Sequence, residues 1–83
     1  MHDRDAILGE LRATMLELFE LEPARVTLDA RLYDDLEIDS IDAIDLMDRL
    51  RRQTGRKIAS ERFRSVRTVS DLVEAIYQLV NET

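Results

Sequence analysis

Apolar residues recur along the first twenty residues at the three- and four-residue spacing of a helix with one buried side. The pattern predicts a first helix from about Arg4 to Glu20, with charged residues on its other side. Its apolar positions are Ile7, Leu8, Leu11, Met15, Leu18 and Phe19. Pro23 then ends the helical period, because proline lacks an amide hydrogen and clashes with the preceding turn.

The segment from Pro23 to Asp39 has no sustained period, yet it is rich in large apolar residues. We expect each of these to bring apolar area to a core, so the segment is predicted to be a packed loop and not a linker. They are Val26, Leu28, Leu32, Tyr33, Leu36 and Ile38.

A second helix is predicted from Ser40 to about Gln53, where Thr54-Gly55 supplies a C-terminal break. Its apolar side comprises Ile41, Ile44, Leu46, Met47 and Leu50. A short third helix or turn is expected around Ile58, Phe63 and Val66.

Thr68-Val69-Ser70-Asp71 has the form of a capping box, in which the Thr68 hydroxyl and the Asp71 carboxylate each accept from the other residue's amide. Helical spacing then continues through Val69, Leu72, Val73, Ile76 and Val80. The chain is therefore predicted to be all-α, a small four-helix bundle with three long helices, one short helix and a long packed loop between helices one and two. Residues 1–83 are expected to form a single domain.

Composition excludes several kinds of site. The chain has no Cys and one His, His2, so a thiolate or histidine metal site and a histidine-based catalytic triad are not expected. No apolar run approaches the roughly 20 residues that span a bilayer, and the charged start is not that of a signal peptide. These features predict a cytoplasmic protein without metal or catalytic residues.

The charge is divided between two adjacent stretches. The acidic block, Asp29 to Asp48, has eight acids against Arg31, whereas the basic stretch, Arg49 to Arg67, has eight basic residues against Glu61. Nucleic-acid binding by the basic stretch is not expected, because the net charge is -6 and the stretch contains a single aromatic residue, Phe63. Pairing with the acidic block, or with an acidic partner, is the better interpretation.

Ser40 is the candidate for chemistry. Asp39 is suited to be the N-cap of the second helix, with Asp42 returning the bond, so Ser40 falls at the first helical position and projects toward solvent. Free amides and the helix dipole at this end favour a negatively charged group. Taken alone, the same tetrapeptide is also an ordinary helix start.

The run from Leu36 to Leu46, preceded by Leu32-Tyr33-Asp34-Asp35 and followed by Ile58 and the Thr68-Val69 helix start, resembles the acyl carrier proteins of the phosphopantetheine-binding group. The resemblance covers nearly the whole chain. It implies that a phosphopantetheinyl transferase attaches 4'-phosphopantetheine to Ser40, with Asp39 and Ile41 as its motif neighbours. Acyl intermediates would then be held as thioesters on the arm, for fatty-acid- or polyketide-like synthesis.

The resemblance also implies partner enzymes with basic patches: the transferase, acyl-loading enzymes and ketosynthase-type enzymes. Asp42 and Asp45 are the expected contacts, with Glu37, Ile44 and Met47 beside them, and complementary charge would speed these encounters. Asp48 is the weaker candidate on this side. The carrier is expected to act as a monomer.

Two departures from the family pattern stand out. Glu37 occupies a position where the family usually has Gly, which predicts a backbone without positive φ there. Arg49, Arg51 and Arg52 make the end of the second helix basic, which argues against housekeeping fatty-acid synthesis. The run from Asp39 to Leu50, followed by Gln53 to Ile58, resembles carriers from dedicated bacterial clusters, such as aryl polyene or other type II polyketide-like systems.

Two alternatives stay open at this point: a carrier of aminoacyl or peptidyl groups, and an unmodified helical interaction module that docks a basic partner. An acyl chain would enter a shallow apolar space between the later helices, although the same residues are equally consistent with a packed core. That space would be lined by Ile44, Leu50, Phe63, Val66 and Ile76.

Overall fold

The computed structural model describes residues 3–81, apart from the side chain of Ser60; His2 lies outside the described residues. The elements are α1 (Arg4–Phe19), α2 (Ser40–Thr54), α3 (Ser60–Arg64) and α4 (Val69–Val80), with a one-turn 3-10 helix (Pro23–Arg25) in the long loop. The prediction of an all-α bundle with three long helices and one short helix is confirmed. Within residues 3–81, extended pairing is limited to one isolated bridge between Arg31 and Thr68.

Side-chain caps fix the starts of α1 and α4. The Asp3 carboxylate accepts from the Ala6 amide at 2.7 Å. The predicted capping box is present, with the Thr68 hydroxyl accepting from the Asp71 amide at 3.1 Å and the Asp71 carboxylate accepting from the Thr68 amide at 3.2 Å. Hydrogen bonds from the Arg67 and Thr68 amides hold the pKa of Asp71 below its ordinary value.

The core joins one stripe from each long helix to the long loop. Buried apolar residues of the helices are Ile7, Leu11, Met15, Leu46, Leu50, Val69, Leu72, Val73, Ala75 and Ile76. The loops add Leu21, Val26, Ala30, Leu32, Leu36, Ile38 and Ile58. Thr14 is also buried, and its hydroxyl accepts from the Gln53 side chain at 3.0 Å, which satisfies it against α2.

Several residues expected in the core lie at the surface instead. Of the apolar side predicted for α2, only Leu46 and Leu50 are buried, while Ile41 and Ile44 are 70% and 65% exposed and Met47 is half-buried. In the loop, Leu28 and Tyr33 are exposed. The expectation that Leu28 and Tyr33 bring apolar area to the core was wrong, because both loop side chains lie at the surface. In α2 the buried stripe is narrower than the predicted apolar side, and it leaves Ile41 and Ile44, which were also predicted to be site residues, exposed.

The long loop packs against the end of the α3–α4 connection and the first two residues of α4 through backbone hydrogen bonds. The Leu32 amide donates to the Arg67 carbonyl at 2.9 Å, the Val69 amide to the Ala30 carbonyl at 3.0 Å, and the Ser70 amide to the Leu28 carbonyl at 2.9 Å. The loop is thus packed as part of the bundle, as predicted. These hydrogen bonds also help to fix the position at which α2 begins.

Glu37 corrects a prediction. Its φ is +57°, in the left-handed region, whereas the absence of glycine had implied a backbone without positive φ. The turn is closed by bonds from the Glu37 amide to the Tyr33 carbonyl at 3.0 Å and from the Ile38 amide to the Leu32 carbonyl at 2.9 Å. The left-handed conformation costs roughly 1–2 kcal/mol, about what burying one Ile side chain returns, and Ile38 is only 6% exposed.

We predict that Glu37→Gly raises the free energy of unfolding by up to about 1 kcal/mol, because glycine adopts positive φ without a Cβ clash. Glu37→Val is expected to lower it, since a β-branched residue tolerates this conformation poorly. Urea denaturation monitored by circular dichroism measures both.

The matched control is Asp45→Gly, at an exposed position inside α2. Glycine there should lower the free energy of unfolding, because no positive φ rewards its flexibility. Destabilisation by Glu37→Gly would show that Glu37 is not strained.

Candidate functional site

The start of α2 is organised by Asp39. One Asp39 carboxylate oxygen accepts from the amides of Ile41 at 3.0 Å and Asp42 at 2.9 Å, which confirms Asp39 as the N-cap. The hydrogen bonds described for residues 3–81 include no return bond from the Asp39 amide to the Asp42 carboxylate, so the reciprocal half of the expected capping box is wrong. The amides of Ile41 and Asp42 are therefore not free, but the helix dipole still favours an anion at this end of α2.

Ser40 is the first residue of α2 and its side chain is exposed. Its hydroxyl makes no hydrogen bond within the described part of the chain. Because Asp39 carries the capping, the Ser40 hydroxyl is not needed to hold the helix end, and it remains open to an approaching enzyme.

Ser40 and Asp39 lie at one side of an open depression of about 690 Å³. Its apolar lining is Leu32, Ile38, Ala43, Phe63 and Val66. Arginines also line it, from the long loop (Arg31), the end of α3 (Arg64) and the α3–α4 connection (Arg67). The depression therefore combines an apolar surface with cationic groups beside the candidate serine.

The apolar space suggested by the sequence is only partly this depression. Phe63 and Val66 line it, but Leu50 and Ile76 are core residues and Ile44 is exposed outside it. The sequence also missed Arg31, Arg64 and Arg67 as neighbours of Ser40. Their basic character was visible, but the loop bond between Leu32 and Arg67 that helps bring them together was not.

The surface of α2 next to Ser40 mixes apolar and acidic side chains. Ile41, Ile44 and Asp45 are exposed, and Asp42 and Met47 are half-buried. Asp48 is exposed but pairs with Arg52 at 3.2 Å. We call Ile41, Asp42, Ile44 and Asp45 the α2 face; Glu37 is exposed on the turn just before it.

Two ion pairs described within residues 3–81 involve the basic stretch. Arg52 pairs with Asp48 of the acidic block, whereas Arg49 pairs with Glu17 of α1 at 3.0 Å. Such surface pairs contribute about 0–1 kcal/mol each, so they do not define the fold.

Among residues 3–81, no helix has the length and apolarity needed to cross a bilayer.

Residues 9–76 match the protein family described as "Phosphopantetheine attachment site". The chain is 47% identical over 74 residues to "Acyl carrier protein 2" of Ralstonia nicotianae, covering 89% of this chain and 91% of the relative. It is 33% identical over 81 residues to "Acyl carrier protein" of Rhodococcus erythropolis, covering 98% of this chain and 89% of the relative. It is 32% identical over 79 residues to "Meromycolate extension acyl carrier protein" of Mycolicibacterium smegmatis, covering 95% of this chain and 80% of the relative.

The fold and these matches define a phosphopantetheine-bearing carrier domain, and the chain belongs to the acyl carrier protein family, as the resemblance predicted. The protein is a carrier of acyl intermediates with a covalently attached 4'-phosphopantetheine. Members of the family are carriers rather than catalysts, and they interact with a phosphopantetheinyl transferase and with synthase enzymes. An unmodified interaction module finds no support in these matches.

We predict that Asp39→Ala lowers the free energy of unfolding of the apo protein by about 1 kcal/mol, because two amides at the start of α2 lose their acceptor. Asp45→Ala, which removes an exposed carboxylate from the same helix without touching a cap, should stay within about 0.5 kcal/mol of the parent. Thermal and urea unfolding measure both, and equal effects of the two variants would contradict the capping role of Asp39.

Proposed function

We propose that Ser40 is the residue that carries 4'-phosphopantetheine. One observation carries the proposal: an exposed hydroxyl without an internal hydrogen bond stands at the first position of a capped helix, beside a depression able to receive a chain. The matched family region, residues 9–76, also includes this serine.

The residues present fit the group. The helix dipole at the start of α2 favours the negative charge of a phosphodiester, and the exposed position leaves room for an arm. In the transfer, the Ser40 oxygen forms a bond to the pantetheine-side phosphorus of coenzyme A and the nucleotide half leaves with the broken phosphoanhydride oxygen. The hydroxyl proton goes to the transferase. The thiol at the end of the arm then supplies the thioester chemistry.

The α2 face is the proposed docking surface for the transferase and for loading and ketosynthase-type enzymes. Ile41 and Ile44 offer apolar area that the bundle does not bury, and Asp42 and Asp45 offer charge for basic patches. Glu37 and Met47 would contact a partner at the margin of this face. Asp48 is a weaker candidate, because Arg52 neutralises it.

Apart from the bond at Ser40 that the transferase makes, the chain takes part in no reaction step of this proposal; it supplies position and transport as one domain, residues 1–83. A monomer suffices, since Ser40, its cap and the α2 face all belong to one chain. The cytoplasm is the proposed compartment, because the coenzyme A donor is found there.

The proposed setting is acyl-chain synthesis in a dedicated bacterial pathway, of the aryl polyene or type II polyketide-like kind. The supporting feature is the basic end of α2, where Arg51 and Arg52 are exposed. An aminoacyl or peptidyl cargo would use the same arm. The loading enzyme that charges the holo protein distinguishes these cargoes.

We predict that incubation with coenzyme A and a broad-specificity phosphopantetheinyl transferase increases the intact mass by one phosphopantetheinyl group, and that Ser40→Ala abolishes the gain. Ser70→Ala is the matched control, since Ser70 is an exposed serine in the first turn of α4. Modification that persists in Ser40→Ala, or no modification of folded parent protein by a transferase active on another carrier, would refute the assignment.

We also predict that the double variant Asp42→Asn/Asp45→Asn lowers kcat/KM for this transfer by roughly three- to tenfold at low salt, and that the difference shrinks as salt screens the charges. Glu10→Gln/Glu22→Gln changes the net charge equally at exposed positions outside α2 and should have little effect. Equal losses in both double variants would indicate a general charge effect instead of a docking face.

A further inference from the structure

The depression beside Ser40 has a chemical character of its own. We propose that it binds an acyl chain ending in a carboxylate, with Arg64 and Arg67 holding the carboxylate and the apolar residues contacting the methylene chain. The inference rests on the proposed attachment at Ser40, since the chain reaches the depression through that residue.

The apolar lining suits methylene groups. Leu32 and Ile38 are buried, and Ala43, Phe63 and Val66 are half-buried, so part of their surface is open to an occupant. A volume of about 690 Å³ falls within the range of small-molecule sites. A short acyl chain has room there.

The acids that line the depression are already engaged. The Asp39 carboxylate accepts from two amides of α2, and the Asp71 carboxylate accepts from the amides of Arg67 and Thr68. Asp34 lies 3.4 Å from the Arg31 guanidinium. Two of these carboxylates are therefore hydrogen-bonded to helix starts, and the third lies beside Arg31 in an exposed ion pair.

Two of its arginines are not engaged in this way. Within the described part of the chain, the guanidinium groups of Arg64 and Arg67 make neither a hydrogen bond nor an ion pair, although Arg67 acts on Asp71 through its charge. The backbone of Arg67 is held at both ends, by the Leu32 amide on its carbonyl and by the Asp71 carboxylate on its amide. Planar guanidinium groups with spare donors match a carboxylate.

The test compares two cargoes of equal length. The apo protein is loaded through the transferase with hexanoyl or adipoyl coenzyme A, and loading is verified by intact mass. The rate of thioester cleavage by hydroxylamine is then measured. In the parent protein, the adipoyl thioester should be cleaved roughly two- to fivefold more slowly than the hexanoyl thioester, the size of effect expected of exposed ion pairs.

Arg64→Gln/Arg67→Gln should abolish the difference between the two cargoes. Arg51→Gln, at an exposed arginine that does not line the depression, should retain it. Circular dichroism verifies folding of each variant. Equal cleavage rates for both cargoes in the parent protein would overturn the inference and mark both arginines as solvated surface groups.

The arm's own phosphodiester is the other anion within reach of Ser40. Arginine side-chain NMR signals of the apo, holo and adipoyl forms separate the two sources. Shifts of Arg64 and Arg67 that appear on adipoyl loading support the carboxylate, whereas shifts complete in the holo form would overturn it in favour of the phosphate. Failure to load Ser40 at all would refute the proposed attachment together with this inference, but loading with equal cleavage rates refutes the inference alone.

Discussion

The backbone pairing of the long loop with the α3–α4 connection and the start of α4 is the constraint on which the site depends. Three amide-to-carbonyl bonds, made by residues 28–32 with residues 67–70, hold the loop against the last two helices. This pairing adds to the shared core in fixing the start of α2 relative to α3 and α4. With it, the serine, the apolar lining and two arginines far away in sequence share one depression.

Much of the fold follows from local signals in the sequence. The period of α1, the Thr68–Asp71 capping box and the Asp39 cap predicted three helix starts, because caps and periodicity depend on neighbouring residues. Burial within α2 did not follow, because the width of a buried stripe depends on what packs against it. Ile41 and Ile44 carry the same hydrophobicity as Leu46, yet only Leu46 meets the core.

The two glutamates with positive φ also could not be predicted from local sequence signals. Glu20 and Glu37 each precede a buried apolar residue, Leu21 and Ile38, and each closes a turn through its amide. Composition alone argues against this conformation for glutamate. Tertiary burial of the next residue overrides that preference, and burial of this kind is decided by the assembled bundle. The arginines beside Ser40 escaped prediction for a similar reason, since their proximity arises from pairing between distant segments.

The cap at Asp39 has a consequence for how the carrier meets its many clients. Because a neighbouring carboxylate holds the backbone at the end of α2, that backbone is ordered before any partner arrives, and less conformational entropy is lost at each visit than if the helix start had to form on binding. Successive enzymes therefore meet the same preformed start of α2. The acyl cargo, and not the start of α2, is then the part that differs between one stage of synthesis and the next.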